Sequence, residues 1–426
     1  MTSSASRRLG RGMAFFALTS ASSYVMADFV NDSHLNLKTQ NFYFRNDYRD
    51  GAGQNQRGEW AQGFTADFSS GFTEGDIGFG VDAVANLGLK LDSSPDRSGS
   101  GLLPQGSATD PRRSYSRRAA DEYSKLDVTG KVRFYKDTLL QVGTVDARLG
   151  VLQPNISRLF PQTFQGAWLT HRFTPDFKLG IGQLRRVRYR DSSDYEPMRI
   201  NTQGGQYVAD EQDRLNLLSL DYKVSKNLSF SYNLAQLEDV YRQHYLGSVF
   251  SIPAGPGSII GDMRVFRSEE DGGATAGNVD NTALSGQLGY RWNGSTLRVG
   301  YQKMLGDTAF TYIDGTATYL FTESLVANLS KQDERVWMLR YDQDFAALGV
   351  PGLEMSVKYV NADQATVHNF NGEGREWECD YDLAYTVQSG TLKDLSFRWR
   401  HGIYHSNYTR NSEQDRLIVS YAFNAF

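Results

Sequence analysis

The chain has 426 residues, a formal net charge of −4 at neutral pH and a single cysteine, Cys379. One cysteine excludes an intramolecular disulfide and a metal site built from several thiolates, and the negative balance disfavours nucleic acid as a partner. The mean hydropathy is only −0.49. Aromatic residues nevertheless make up 13% of the chain, a proportion typical of the aromatic girdles of a membrane barrel.

The N-terminus carries the pattern of a secretory signal peptide. Arg7, Arg8 and Arg11 precede an apolar run, and Ala27 is the small residue after which a signal peptidase cleaves. The alternative, a membrane-anchoring helix, needs about 20 uninterrupted apolar residues, whereas serines and threonines interrupt this run. We therefore expect residues 1–27 to be removed and residues 28–426 to form the mature protein as one domain.

Residues 76–91 give the clearest secondary-structure signal. Apolar side chains occupy the odd positions from Ile77 to Leu91, while nearly all even positions are polar or glycine. A period of two predicts a strand. Soluble strands usually end after about 5–6 residues, whereas crossing a bilayer takes about 9–11. The pattern therefore predicts the wall of a membrane barrel, and a secreted β-solenoid or sandwich is the alternative.

Short turns and long polar loops alternate along the rest of the chain, as in outer-membrane barrels with tight periplasmic turns and long external loops. The predicted turns are 72–75, 136–137, 174–176, 225–227, 253–257, 293–294, 350–352 and 390–392. The predicted external loops are 92–121, 146–164, 190–211, 268–281 and 305–334. The turns, with one strand on either side and a strand at each end, give about eighteen strands. The turn at 253–257 is the weakest, so sixteen strands remain an alternative.

Several arginines alternate with apolar residues inside the predicted strands. Arg398 and Arg400 flank Trp399 and so share the face opposite to it. An arginine facing lipid near the midplane costs about 2–4 kcal/mol, so we expect this pair to line the lumen. The same argument applies to Lys131, Arg133, Arg186, Arg188, Arg190, Arg298 and Arg340, and it places Arg185 at a strand end or a bulge. The alternative is that these are solvated wall residues paired with nearby acids.

Seven segments together resemble a known family. They are NFYFRNDYRDG (41–51), EWAQGF (59–64), GFGVDA (78–83), RLFPQTFQG (158–166), GDTAF (306–310), YDQDFAALGVPG (341–352) and RLIV (416–419). Over residues 35 to 421 the chain resembles the OprD family of substrate-specific outer-membrane porins, the Occ channels of pseudomonads. The resemblance implies an all-β fold: a transmembrane antiparallel β-barrel of eighteen strands in the outer membrane of a Gram-negative bacterium, with loops 146–164 and 305–334 folded into the lumen. It also implies passive uptake of small carboxylates, with cyclic or aromatic acids as the nearest class.

The resemblance further assigns residues to the substrate path. It places Arg49 and Arg158 at the narrowest point, and Asp307 and Asp314 on an opposing acidic side. It assigns a basic ladder to Arg185, Arg186, Arg188, Arg398 and Arg400. Two alternatives remain open: Arg158 forms a salt bridge that holds its loop to the wall, and Asp307 is a turn former.

Other functional classes have less support in the sequence. The chain contains no G-x-S-x-G, H-E-x-x-H or C-x-x-C motif, so we expect neither an enzyme nor a cofactor or metal site. His401 and His405 are four apart, but on a strand they are wall or rim residues. A general diffusion porin, or a structural barrel with adhesive loops, is the remaining alternative. The expected partners are a small carboxylate, outer-membrane lipid with lipopolysaccharide and the barrel-assembly machinery, for a monomer or loose trimer.

Overall fold

The computed structural model describes residues 29–110 and 113–426, and the predicted signal peptide, residues 1–27, lies outside them. The described chain consists mainly of β-strands. They are β1 (His34–Tyr48), β2 (Gln56–Ser69), β3 (Ile77–Asp92), β4 (Gln105–Asp110), β5 (Arg113–Ala119), β6 (Glu122–Phe134), β7 (Thr138–Val145), β8 (Thr163–Thr174), β9 (Phe177–Arg188), β10 (Met198–Arg199), β11 (Glu211–Gln212), β12 (Leu215–Ser225), β13 (Leu228–Leu237), β14 (Tyr241–Ala254), β15 (Gly257–Glu270), β16 (Asp280–Trp292), β17 (Ser295–Leu305), β18 (Arg335–Asp344), β19 (Leu353–Ala365), β20 (Gly374–Thr386), β21 (Ser396–Ser406) and β22 (Ser412–Asn424). Pro95–Arg97 and Phe345–Leu348 form short 3-10 helices.

Eighteen of these strands form one closed antiparallel barrel. Each strand pairs with its neighbours in chain order, and β1 pairs with both β2 and β22, which closes the sheet. Closure leaves no unpaired edge, which a membrane-spanning sheet requires because lipid offers no hydrogen-bond partner. The other four strands form two hairpins, β4–β5 and β10–β11, inside external loops. The predicted fold of about eighteen strands is confirmed.

The hairpin turns explain the strand register. Asn293 and Gly294 both have positive φ, 43° and 80°, and connect β16 to β17 in the two-residue turn that this dipeptide favours. Ala254 pairs with Gly257, so the segment 253–257 is a tight hairpin and the count is eighteen rather than sixteen. The prediction of a short turn at 390–392 is wrong in extent, because the irregular connection there runs from 387 to 395.

The two faces of the wall follow the predicted alternation. On β3, Ile77, Phe79 and Leu91 are exposed on the outer surface, where lipid covers them. On β18, the outward residues Trp337 and Leu339 are likewise exposed, and they alternate with buried inward residues. Within the described ranges, no helix is long and apolar enough to cross a membrane.

Three external loops fold into the lumen. Loops 146–162 and 306–334 do so as the family resemblance implied, and loop 189–214, between β9 and β12, joins them. Single β-bridges connect the loops to one another, Gln153 with Ala317 and Ile200 with Ile313. All three loops contribute buried apolar side chains to one core cluster with the wall. Burial of this apolar surface holds the loops inside the barrel, at about 25 cal/mol for each Å² removed from water.

Candidate functional site

The inward loops and the barrel wall enclose a cavity of about 550 Å³, here called the upper cavity. Loops 146–162, 189–214 and 306–334 each contribute to its lining, and the wall completes it. Its charged lining residues are Arg158, Arg190, Lys358, Arg400, Arg416, Asp314 and Glu323. The cavity therefore has an excess of positive charge, although the whole chain is negative.

Ser157 lies at the centre of three guanidinium groups, here called the arginine cluster. Nη1 of Arg158 donates to the Ser157 carbonyl oxygen at 3.0 Å, and Nη1 of Arg190 donates to its Oγ at 2.8 Å. Nη1 of Arg416 lies 3.5 Å from the same carbonyl oxygen. These residues come from two loops and strand β22, so only the folded chain brings them together.

Each cluster arginine is fixed by further contacts. The Arg158 guanidinium stacks on Phe44 at 4.6 Å from the ring centroid. Arg416 donates to the Leu325 carbonyl at 2.8 Å, and Arg190 donates to Asn155 Oδ1 at 3.1 Å. The cluster is therefore organised before any ligand arrives, which reduces the entropy lost on binding.

Among residues 29–110 and 113–426, no carboxylate forms an ion pair with the arginine cluster. Asp314 pairs instead with Arg199 at 3.2 Å, and Asp191 acts on Arg158 and Arg190 through electrostatic attraction without an ion-pair contact. Burial, followed by the like charges of Arg416 and Arg190, lowers the pKa of Arg158. Guanidinium groups nevertheless stay protonated in proteins. The result is an unfavourable concentration of positive charge that a bound anion would relieve.

The two acids of the upper cavity are engaged by residues of the inward loops. Asp314 accepts hydrogen bonds from Asn201 at 2.9 Å and from Tyr189 at 3.4 Å. Glu323 accepts one from Thr318 Oγ1 at 2.7 Å. These contacts make both carboxylates loop anchors, and they occupy lone pairs that could otherwise receive a cationic ligand.

A buried carboxylate fixes the loop that narrows the channel. Glu378 on β20 accepts from the backbone N–H groups of Val326 and Ala327, each at 2.8 Å. On the same strand, Asp380 lies 3.3 Å from the Leu325 N–H. Loop 306–334 is thus held to the wall through its backbone at the level of the upper cavity.

A second space of about 450 Å³, the lower cavity, lies toward the short turns. Arg340, Asp342, Asp382 and Arg398 are among its lining residues. Here the arginines are paired: Arg340 donates to Asp342 at 2.7 Å and Arg398 to Asp382 at 2.7 Å. The positive charge of the lower cavity is therefore largely compensated, unlike that of the arginine cluster.

Comparisons with known proteins agree with this architecture. The model of the family described as "outer membrane porin, OprD family" matches residues 27–425 of this chain. The chain belongs to the OprD family. Porin D of Pseudomonas aeruginosa is 33% identical over 421 residues, covering 92% of this chain and 91% of that protein. The crystal structure of OccK9 (OpdG) from P. aeruginosa has a TM-score of 0.87 at 39% identity and covers 93% of this chain and 99% of its own.

A second solved relative is OpdK of P. aeruginosa with vanillate, with a TM-score of 0.85 at 33% identity, covering 93% of this chain and 100% of that chain. These relatives are porins, which are channels and not enzymes. The OprD-family porin described here is accordingly a substrate-specific channel for small solutes in the outer membrane of a Gram-negative bacterium.

The porin structure brings four of the predicted site residues to the cavities. Arg158, Arg400 and Asp314 line the upper cavity, and Arg398 lines the lower one. Arg158 forms no salt bridge with any of the described residues, so the alternative of a loop-anchoring salt bridge is not observed. Its Nε does, however, donate to the Ser100 carbonyl oxygen at 2.6 Å, so it also ties two loops together.

Arg49 and Asp307 lie outside both cavities. Arg49 is exposed just beyond the outer end of β1 and forms an ion pair with Glu413 on β22. Asp307 is exposed directly after Gly306, whose φ is 101°. This position beside a glycine turn agrees with the alternative of a turn former.

The three arginines of β9 also lie outside the cavities. The pairing of β8 with β9 shifts register so that Arg185 has no partner, which confirms the predicted bulge. Arg185 and Arg186 are exposed, whereas Arg188 is buried in an ion pair with Asp127. The prediction that Arg186, Arg188 and Arg190 share one strand face is wrong, because β9 ends at Arg188, so that Arg190 lies in the following loop.

Sequence reasoning missed most residues of the upper cavity, among them Ser157, Arg190, Lys358 and Arg416. Alternation could have found two of them. Leu417 is exposed on the outer face, so Arg416 must point inward, and Tyr359 places Lys358 inward in the same way. No local pattern marks Ser157, because its role depends on loops that are distant in sequence.

Proposed function

We propose that this porin takes up small carboxylates and binds them at the arginine cluster around Ser157. The observation that carries the proposal is the convergence of Arg158, Arg190 and Arg416, none of which forms an ion pair with a carboxylate of the described residues. A guanidinium presents a planar fork that matches a carboxylate through two parallel hydrogen bonds. An anionic solute therefore gains both charge compensation and directional hydrogen bonds at this position.

The narrowness of the channel makes the charge effective. Two unit charges 4 Å apart interact with about 1 kcal/mol in bulk water and about 4 kcal/mol at an effective dielectric constant near 20. The inward loops exclude most of the water that would screen the charges in a wide pore. The same loops limit solute size, since the upper cavity measures about 550 Å³.

Aromatic or cyclic acids are the carboxylates that fit this site best. Tyr312 and Leu320 line the upper cavity beside its cations, and together they offer an apolar surface next to the carboxylate site. The relative OpdK was crystallised with vanillate, an aromatic carboxylate. Below the cluster, Arg400 and Arg398 continue the positive side of the path, and we propose that they form the basic ladder.

Replacement of Arg158 by alanine tests the proposal. One charge-assisted hydrogen bond contributes roughly 1.5–3 kcal/mol, so the apparent affinity for benzoate should fall about ten- to hundredfold. Uptake into liposomes, measured against concentration, should lose saturation, while a neutral sugar of similar size passes equally well or faster. Arg148→Ala is the matched control, because Arg148 lies in the same loop but pairs with Asp146 at 2.9 Å.

If carboxylate uptake by Arg158→Ala still saturates and the variant only unfolds at a lower temperature, Arg158 is a loop anchor and not part of the binding site. If native protein shows no saturation with any carboxylate, the channel is a general diffusion porin and the proposal fails.

We propose further that residues 1–27 are a cleaved signal peptide and that the barrel is inserted by the barrel-assembly machinery. The exposed apolar band on the wall supports contact with outer-membrane lipid and lipopolysaccharide. Each chain encloses its own lumen, which supports function as a monomer or within a loose trimer.

A further inference from the structure

Two aspartates in the lower part of the channel each contact two arginines. Asp342 accepts from Arg340 Nη2 at 2.7 Å and also pairs with Arg298 on the neighbouring strand. Asp382 accepts from Arg398 Nε at 2.7 Å. Its Oδ2 lies 2.9 Å from Arg400 Nε. Each set therefore holds two cations and one anion.

The two sets lie in one register row of the wall. Asp342 pairs in register with Ser356, and Ser356 pairs with Asp382. Two steps between neighbouring strands of about 4.8 Å place the aspartates roughly 10 Å apart along one row. Both carboxylates are largely but not fully shielded, with side-chain exposures of 24% for Asp342 and 18% for Asp382.

Of these two aspartates, Asp382 is the one whose arginine partners, among the described residues, line both cavities. Its partner Arg400 lines the upper cavity, together with the arginine cluster. Its other partner, Arg398, lines the lower cavity, as Asp382 itself does. Asp342 lines the lower cavity with Arg340 and has no contact with a residue of the upper one. A solute that moves from Arg400 to Arg398 between the two cavities therefore meets the carboxylate of Asp382.

We infer that Asp382 is an internal competitor for the substrate carboxylate and that it controls passage from the upper to the lower cavity. The inference rests on the proposed function. When a substrate carboxylate binds Arg400, Asp382 keeps its hydrogen bonds to Arg398. When the substrate moves on to Arg398, Asp382 pairs with Arg400 again. Each guanidinium keeps one carboxylate partner throughout, so neither position becomes a deep trap.

This exchange explains why fixed acids lie among cations that serve an anion. A row of unpaired arginines would bind the substrate at each step and release it slowly, whereas conduction requires sites that the solute can leave. Asp382 also positions both guanidinium groups, because arginine side chains otherwise lose considerable rotamer entropy when they are ordered. The residue thus acts on the substrate through Arg398 and Arg400.

Asp382→Asn tests the inference in liposome flux measurements with benzoate. Without the competing charge, the half-saturation concentration should fall about tenfold, a change equivalent to one charge-assisted hydrogen bond of about 1.4 kcal/mol. The maximal flux should fall with it, because release slows. Asp382→Glu keeps the charge and should restore both values to within about twofold of native.

Asp342→Asn is the matched control. It removes the same charge from the same row, but away from the junction, so its half-saturation concentration should change by no more than about twofold. Equal shifts in the two asparagine variants would reduce the effect to net lumen charge and overturn the inference. A rise of the half-saturation concentration in Asp382→Asn would also overturn it, by showing that Asp382 only positions the ladder.

The proposed function is tested separately: it fails if the flux of benzoate through native protein does not saturate. Flux of a neutral sugar through each variant checks that the pore remains open and folded. If native protein saturates but the two asparagine variants have equal half-saturation concentrations, binding at the arginine cluster is retained and only the role of Asp382 is refuted.

Discussion

Removal of the Glu378 side chain should loosen loop 306–334 inside the lumen without unfolding the barrel. Glu378 is fully buried, and its two carboxylate oxygens accept from the Val326 and Ala327 N–H groups at 2.8 Å each. Glu378→Ala deletes both acceptors and leaves the two N–H groups without them. The barrel hydrogen bonds of β20 come from its backbone and stay intact.

The expected effect can be estimated from these two hydrogen bonds. Leaving a buried N–H group without its acceptor costs roughly 1–3 kcal/mol, so even a low value of about 1.5 kcal/mol for each group amounts to about 3 kcal/mol. Since about 1.4 kcal/mol corresponds to a factor of ten, the ratio of released to docked loop should rise roughly a hundredfold. The remaining contact of Arg416 with the Leu325 carbonyl, at 2.8 Å, favours use of the lower value.

Single-channel recording in planar bilayers measures this change directly. Glu378→Ala should show a larger mean conductance with frequent current transitions, and larger sugars should enter liposomes. Glu378→Gln keeps one acceptor oxygen and should be intermediate. Asp363→Asn is the control, because Asp363 pairs with Arg335 at 2.7 Å near the outer ends of β18 and β19, away from loop 306–334's contact with Glu378.

An unchanged conductance in folded Glu378→Ala would refute this reasoning. It would mean that apolar packing holds the loop by itself, since Ala327 and Leu329 belong to a buried cluster with Val336 and Met338 of the wall. The electrostatic contacts would then be a consequence of docking and not its cause.

Two further predictions concern selectivity and orientation. Arg190→Gln should reduce the anion preference measured as the reversal potential in a KCl gradient, because it removes one unpaired cation from the upper cavity; an unchanged potential would remove Arg190 from the selective site. In a Cys379→Ser background, cysteine at Asn278, in the β15–β16 loop, should react with an impermeant maleimide on intact cells. Cysteine at Lys226, in the β12–β13 turn, should react only after the outer membrane is permeabilised. Labelling of both from outside would contradict the orientation.

The wall was predictable from the sequence because its rules are local. Alternation over 76–91 identifies β3, since one face meets lipid and the other does not. The Asn293–Gly294 dipeptide identifies a two-residue hairpin, because both positions need positive φ. The same reasoning places Arg398 and Arg400 inward, and both line cavities in the structure.

The candidate site was less predictable because it depends on tertiary contacts. The bulge at Arg185 changes which face each following residue takes, and periodicity alone cannot locate where a strand ends. The arginine cluster needs residues 157, 190 and 416 to meet, which follows only when three loops pack into one apolar core. The third inward loop, 189–214, carries polar residues that resemble those of any external loop.

The contrast between the two cavities shows where the functional charge of this porin resides. Opposed arginines across a strand pair repel each other, and the wall contains two such pairs in register, Arg298 with Arg340 and Arg400 with Arg416. Asp342 contacts both arginines of the first pair. In the second pair Asp382 contacts only Arg400, and Arg416 donates hydrogen bonds only to amide and carbonyl oxygens among the described residues. Opposed arginines are therefore both held by a carboxylate lower in the channel, whereas Arg416 at the upper cavity is not. This is expected where binding takes precedence over stability.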